Sequence, residues 1–217
     1  MSKYFIAVYT HEVKDYCKEE FFDNLSNLSS KDFELHIVDN TQDMDHSMLL
    51  RQTCPVENQL TYLNIPREPH NTLFLRRVTE SVNKLRDDFL DSDCNYFLII
   101  ESDLLVPLDV LEQFDKTIEQ LDDNWGIVGG TYYKGFHDFT KKGIYETNHA
   151  LSGCTVYKKE VIKEYPFRWS TENMGAFPDA WICYDVNLDK KYKIYNQGDI
   201  LCDHLHDKTG RRGHQHV

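Results

Sequence analysis

Residues 96–107 read YFLIIESDLLVP, an apolar run from Tyr96 to Ile100 that ends abruptly in Glu101, Ser102 and Asp103. A strand buried on both faces is continuously hydrophobic and favours β-branched and aromatic residues, so this run predicts a central strand. Its carboxyl end then delivers two acids. In open α/β sheets, ligands bind in the crevice outside that edge, and residues two apart on an extended chain point to the same side. Glu101 and Asp103 are therefore placed to hold a divalent cation through carboxylate oxygens. The plainer alternative is that they open a loop, with Asp109 beginning the next helix.

Working outward, residues 4–9 (YFIAVY) read as a first buried strand, and residues 12–28 carry helical spacing through Val13, Tyr16, Cys17, Phe21 and Leu25. Residues 33–38 (FELHIV) and 60–65 (LTYLNI) predict a second and third strand, with an irregular polar stretch between them that makes one short helical turn near residues 48–51. Leu75, Val78, Val82, Leu85 and Phe89 form one face of a helix over residues 73–90. After the strand at 96–100, Pro107 opens a helix running to about Leu121, where proline is tolerated in the first turn. Strands are predicted at 125–133, at 150–158 with a Ser152-Gly153 break, and as two closing segments at 192–196 and 200–204; residues 179–191 read as a helix. The alternation at the start means crossover helices and parallel strands, and the strand-rich end means a mixed sheet. Residues 136–147 and 168–175 are the polar, glycine-bearing stretches expected to be loops over the site.

Composition bounds the function. The chain has 217 residues, 41% hydrophobic and 28% charged, which suits a single domain over residues 1–217. No apolar run approaches the ~20 residues of a membrane span and no signal peptide precedes the first strand, so a soluble, cytoplasmic protein is expected. Six scattered cysteines without a CxxC pair argue for reduced thiols instead of a zinc ribbon or a disulfide framework. A net charge of −12 opposes nucleic acid and anionic membranes. An anionic ligand would need a metal ion or local basic groups to offset that field.

Several familiar motifs are missing. No GxGxxG follows the first strand, where Tyr9-Thr10-His11-Glu12 stands instead, and there is no GxxxxGK[ST] or GxSxG, which excludes the usual dehydrogenase, P-loop and α/β-hydrolase signatures. What is present runs in a recognisable order. The second strand ends in Asp39, the fourth in Glu101-Ser102-Asp103, a Ser152-Gly153 turn follows, Pro178-Asp179 opens a helix, and His204 stands near the end. This series resembles the GT-A glycosyltransferases, family 2-like members above all, over roughly the whole chain. Two positions depart from that pattern: Glu101 replaces the first Asp of the usual DxD, and Pro178 stands where many relatives carry an acid.

The resemblance implies a GT-A fold, a mixed and mainly parallel sheet flanked by helices, and a metal-dependent transferase that moves a sugar from a nucleotide diphosphate, UDP-sugars favoured, to a glycan or other hydroxyl acceptor. It implies that Asp39 contacts the nucleotide base with Thr10 and Glu12 beside it. Glu101, Ser102 and Asp103 would meet the ribose and the cation, His204 would be a further metal ligand with His206 as its alternative, and Asp179 would be the base of an inverting reaction. Gly153 would line the acceptor side. The chemistry is consistent, because a departing diphosphate needs its developing charge offset, and carboxylates with one imidazole suit Mn²⁺ or Mg²⁺ better than a thiolate-bound structural zinc. Lys208, Arg211 and Arg212 offer local positive charge for the diphosphate. Trp169, Trp181 and one of Tyr132 or Tyr133 are candidates for a sugar-stacking platform. Plainer roles stand beside these: a strand-end acid for Asp39, a helix cap for Asp179, core for Trp181, and a solvated histidine- and arginine-bearing tail. Two other functions fit less well: a sugar-nucleotide nucleotidyltransferase, which needs a Gly-rich basic loop after the first strand, and a non-catalytic carbohydrate- or metal-binding module.

Overall fold

The computed structural model describes residues 3–41, 43–63, 72–132, 141–150, 153–170, 177–206 and 211–212, the side chains at 72, 73, 132, 206, 211 and 212 excepted. Strand β1 (Tyr4–Thr10) is followed by a 3-10 turn (Glu12–Lys14), α1 (Lys18–Ser26), β2 (Phe33–Asp39), α2 (Met44–Thr53), β3 (Asn58–Tyr62) and α3 (Thr72–Leu90). Next come β4 (Tyr96–Ile100), β5 (Leu104–Leu105), α4 (Val110–Ile118), β6 (Trp125–Tyr132), β7 (Ile144–Thr147) and β8 (Cys154–Lys158). The chain closes with α5 (Lys159–Glu164), α6 (Pro178–Asp189), β9 (Lys193–His206) and β10 (Arg211–Arg212).

The main path of the sheet runs β10-β9-β6-β8-β4-β1-β2-β3, with β5 and β7 pairing β9 off that path. Strands β3, β2, β1 and β4 are parallel, β8 runs antiparallel between β4 and β6, and β6 is parallel to β9. The expectation of a mixed sheet, parallel where crossover helices link the strands, is met. Parallel strands at the centre must be covered on both sides, and they are. In β1, Tyr4, Ile6 and Val8 face one core with α1 and α4, while Phe5 and Ala7 face the other with α3 and α5. In β4, Leu98 and Ile100 lie on the first side and Phe97 and Ile99 on the second, each at most 1% exposed. Each such side chain contributes roughly 1.5–3 kcal/mol by leaving water.

Four local expectations are corrected. The helix expected over 12–28 is a 3-10 turn and then α1, because the segment breaks at Tyr16-Cys17 to bond the site: Cys17 Sγ donates to Ser102 O at 3.4 Å and Tyr16 Oη to Leu205 O at 3.1 Å. Residues 44–53, expected to be mostly irregular, form α2, which Asp43 caps by accepting from Asp45 N at 2.9 Å. Only Ser47 and Leu50 are buried on it, so its apolar periodicity was faint. Residues 144–147 pair with β9 instead of forming a loop. The two closing strands are one, β9, in which a Cβ at Gly198 would stand 1.9 Å from the Lys141 carbonyl oxygen. No disulfide joins the six cysteines, and no described helix is long and apolar enough to cross a membrane.

Candidate functional site

The carboxyl ends of β1, β2 and β4 stand side by side, with Thr10 in register with Asp39 and Ala7 with Ile99. Beyond that edge the chain turns at Glu101-Ser102-Asp103 into β5. The short β5 aligns Leu104 with His204 of β9, and Leu205 N donates to Asp103 O at 2.8 Å. A histidine a hundred residues away is thereby fixed next to the two acids. Oxygens of Glu101 and Asp103 and a ring nitrogen of His204 lie within 4.8 Å of one another. Ligands of a cation held at about 2.0–2.2 Å can be no more than about 4.4 Å apart, so small side-chain adjustments would close this set. Two carboxylates and one imidazole are a donor set that fits Mn²⁺ or Mg²⁺. Strand β10 pairs Arg211 with His206 and Arg212 with Leu205, so the backbone of the basic tail folds back beside this corner.

Each of these groups is positioned by the protein. Glu101 Oε1 accepts from Tyr9 Oη at 3.0 Å, and Glu101 N donates to Gly153 O at 2.9 Å. Asp103 is 4% exposed, with Oδ2 facing His204 Nε2 at 3.4 Å and in contact with Lys14 Nζ. Burial would push the Asp103 carboxyl up, but the hydrogen bond from His204 and the Lys14 ammonium outweigh it and bring the pKa down to about 2. It is therefore a full negative charge at neutral pH.

A cleft of about 270 Å³ opens from this corner. Glu101, Ser102, Asp103 and His204 line one part, Tyr9, Thr10 and Asn40 come from the strand ends, and His11, Lys14 and Arg77 add basic groups, with Val13, Phe74, Val78 and Phe177 as its apolar contribution. Phe74 and Phe177 are half exposed and meet edge to face at 6.0 Å. Lys14, Arg77 and this aromatic pair went unnoticed in the sequence. The turn at residues 12–14 and the start of α3 carry no motif, and only the sheet order brings them to one edge.

Neither Asp39 nor Glu12 belongs to the cleft wall. Asp39 is fully buried and is absent from the lining. Its Oδ1 accepts from Thr41 N at 3.0 Å, and its Oδ2 contacts Ser47 Oγ and lies 3.1 Å from His46 Nδ1. Burial raises its pKa, but these bonds prevail and hold it below the ordinary carboxylate value. The next residue, Asn40, faces the cleft in its place. Glu12 is exposed and serves through its backbone, donating to Thr41 Oγ1 at 2.9 Å.

His46 bridges two loops of this edge, since its Nε2 also lies 2.9 Å from Asp15 Oδ1. Burial of the ring opposes protonation, yet the Asp15 and Asp39 carboxylates win and raise its pKa. A raised folded pKa means stabilisation that is complete below the unfolded value, about 6.5, and is lost as pH rises through the folded value. The urea midpoint is expected to fall across that interval in the parent protein and to change less in His46→Gln. Equal pH slopes would remove His46 from the account.

Asp179 is the second residue of α6, after Pro178, and Phe177 holds the N-cap position, so it is not the helix cap. It is 6% exposed with His149 Nε2 at 3.4 Å, beside a hollow lined by Asn148, His149, Ala180, Tyr184 and Asn187. Asp179 and His149 belong to the same sheet edge as the acids. Residue 150 packs onto Gly129, where a Cβ would come within 2.9 Å of Ala150 Cβ, and Gly153 then meets Glu101. One face of Trp181 is covered by the Arg168 guanidinium at 3.9 Å, itself held by Asp185 at 2.7 and 2.9 Å. Trp169 is half-buried and outside the cleft lining. Tyr133 and Lys208, and the side chains of His206, Arg211 and Arg212, lie outside the described residues.

No family model and no curated protein matches this sequence. Solved structures do. Residues 1–349 of TarS from S. aureus in complex with UDP align over 92% of this chain at 15% identity with a TM-score of 0.65, and this chain covers 59% of that structure. The mannosyltransferase PcManGT from Pyrobaculum calidifontis, in complex with GDP-Man and Mn²⁺, aligns over 92% of this chain and 56% of its own, at 15% identity and a TM-score of 0.62. A putative nucleotide-diphospho-sugar transferase from Desulfovibrio desulfuricans aligns over 90% of this chain and 80% of its own, at 14% identity and 0.53. The fold is GT-A. The chain spans less than two thirds of the length of the first two, and identities this low establish the architecture alone.

Proposed function

We propose that residues 1–217 form a single-domain, divalent-cation-dependent glycosyltransferase that moves a sugar from a nucleotide diphosphate donor, a UDP-sugar in the first instance, to a glycan or other hydroxyl acceptor. The observation that carries this reading is the cluster of Glu101, Asp103 and His204 at the carboxyl edge of a GT-A sheet, opening directly into a cleft. Structures of the same fold are those of TarS with UDP and of a mannosyltransferase with GDP-Man and Mn²⁺. When bound at this corner, Mn²⁺ or Mg²⁺ would offset charge developing on the departing diphosphate. Thr10 and Asn40 line the side of the cleft where the base and ribose would lie, and Asp39 orders that side from behind. Asp179 accepts the acceptor's hydroxyl proton, and inversion at the sugar carbon follows from a single attack assisted by one base.

The test is calorimetric titration of the whole chain with UDP, GDP and dTDP, each with and without Mn²⁺. Metal-dependent binding, tightest for UDP, is expected. Metal binding with no nucleotide binding would instead make the chain a metal-binding module on the same fold, and tighter binding of GDP or dTDP would reassign the donor base.

A further inference from the structure

The acid corner already holds a cation supplied by the chain. Lys14, at the end of the 3-10 turn, places its ammonium on Asp103 Oδ2, the oxygen that His204 Nε2 faces at 3.4 Å. A metal ligated by Glu101, Asp103 and His204 would use that corner as well. An ammonium and a divalent ion repel strongly at such separations in a partly buried site, so both cannot remain on one carboxylate. Of the pair, Lys14 is the partner able to move. Its side chain is 34% exposed against 5% for Asp103, it sits on a four-carbon stem, and it also lines the cleft.

Charge balance gives the displaced ammonium a destination. The chain carries −12 overall, and Glu101 and Asp103 add two acids at the cleft. Among the described residues lining that cleft, the lysine and arginine side chains are Lys14 and Arg77, and Arg77 Nη1 lies 3.2 Å from His11 Nε2. Among the described residues, a diphosphate entering there meets few fixed positive groups, so one that begins beside the metal position has a large effect.

We propose that Lys14 is an exchangeable counter-ion of the metal corner: it pairs with Asp103 in the empty site, yields that position to a divalent cation, and then pairs with the diphosphate of the bound nucleotide. This rests on the reading given under Proposed function. It makes Lys14 a competitor of the metal and a ligand of the nucleotide at once. A merely structural ion pair would be neither, since its loss would loosen the corner and weaken both.

Lys14→Met separates these. In calorimetry without nucleotide, the variant should bind Mn²⁺ about fivefold more tightly than the parent, and with saturating Mn²⁺ it should bind UDP about tenfold more weakly. Lys14→Arg retains the charge and should fall nearer the parent in the UDP titration, and it also serves if the methionine variant does not fold. Unchanged or weaker Mn²⁺ affinity in Lys14→Met, or unchanged UDP affinity, overturns the exchange. A parent protein that binds none of UDP, GDP and dTDP overturns the functional reading and the nucleotide role of Lys14 together. A parent that binds, with Lys14→Met indistinguishable from it, overturns only the inference about Lys14.

Discussion

Asp103→Asn is expected to weaken Mn²⁺-dependent nucleotide diphosphate binding at least tenfold, about 1.4 kcal/mol. Asparagine keeps the shape of the side chain and leaves the backbone bond from Leu205 N to Asp103 O intact, so the change isolates the charge. That charge is complete at neutral pH, because His204 and Lys14 hold the carboxyl at about 2 despite its burial. Of the three clustered groups, Asp103 is the most enclosed carboxylate and the one His204 faces. Titrations in EDTA should show a much smaller difference between parent and variant, since only the metal-borne part of the affinity depends on this oxygen. A variant that binds as tightly as the parent in Mn²⁺ would place the metal elsewhere.

The acids at residues 101 and 103 were legible because a strand buried on both faces leaves an unmistakable apolar run, and the polar residues after it must lie at the sheet's edge. The parallel half of the sheet was legible for the same reason, in the alternation of Tyr4-Phe5-Ile6-Ala7-Val8 between two cores. His204 could be placed only through the family resemblance, since the pairing of β5 with β9 joins segments a hundred residues apart and no local pattern announces it. Lys14 and Arg77 were invisible for a related reason. Long charged side chains on a turn and a helix read as solvated, and their position over the acids follows from tertiary packing alone. An acid at a strand end looks available in sequence, whereas in the fold Asp39 is bonded to Ser47, His46 and Thr41. Ser47 and His46 come from α2, the helix whose weak amphipathicity hid it.

Asp179→Asn is expected to cut sugar transfer at least a hundredfold while leaving nucleotide diphosphate affinity within a few-fold, since general-base assistance contributes ~10²–10⁴-fold and an amide of the same shape does not take up the proton. The geometry separates the two effects. Asp179 lies outside the lining of the cleft that holds Glu101, Asp103 and His204, against His149 and beside a neighbouring hollow, while Phe177, two residues before it, lines that cleft. Substitution there leaves the proposed metal ligands and cationic groups untouched. Initial rates of sugar transfer and calorimetric titration of the same nucleotide, made on one preparation, read the two effects separately. Transfer that survives in Asp179→Asn would reduce Asp179 to the partner of His149 and move the base elsewhere. Loss of nucleotide binding together with transfer would make Asp179 a support of the whole edge instead of an agent of the chemical step.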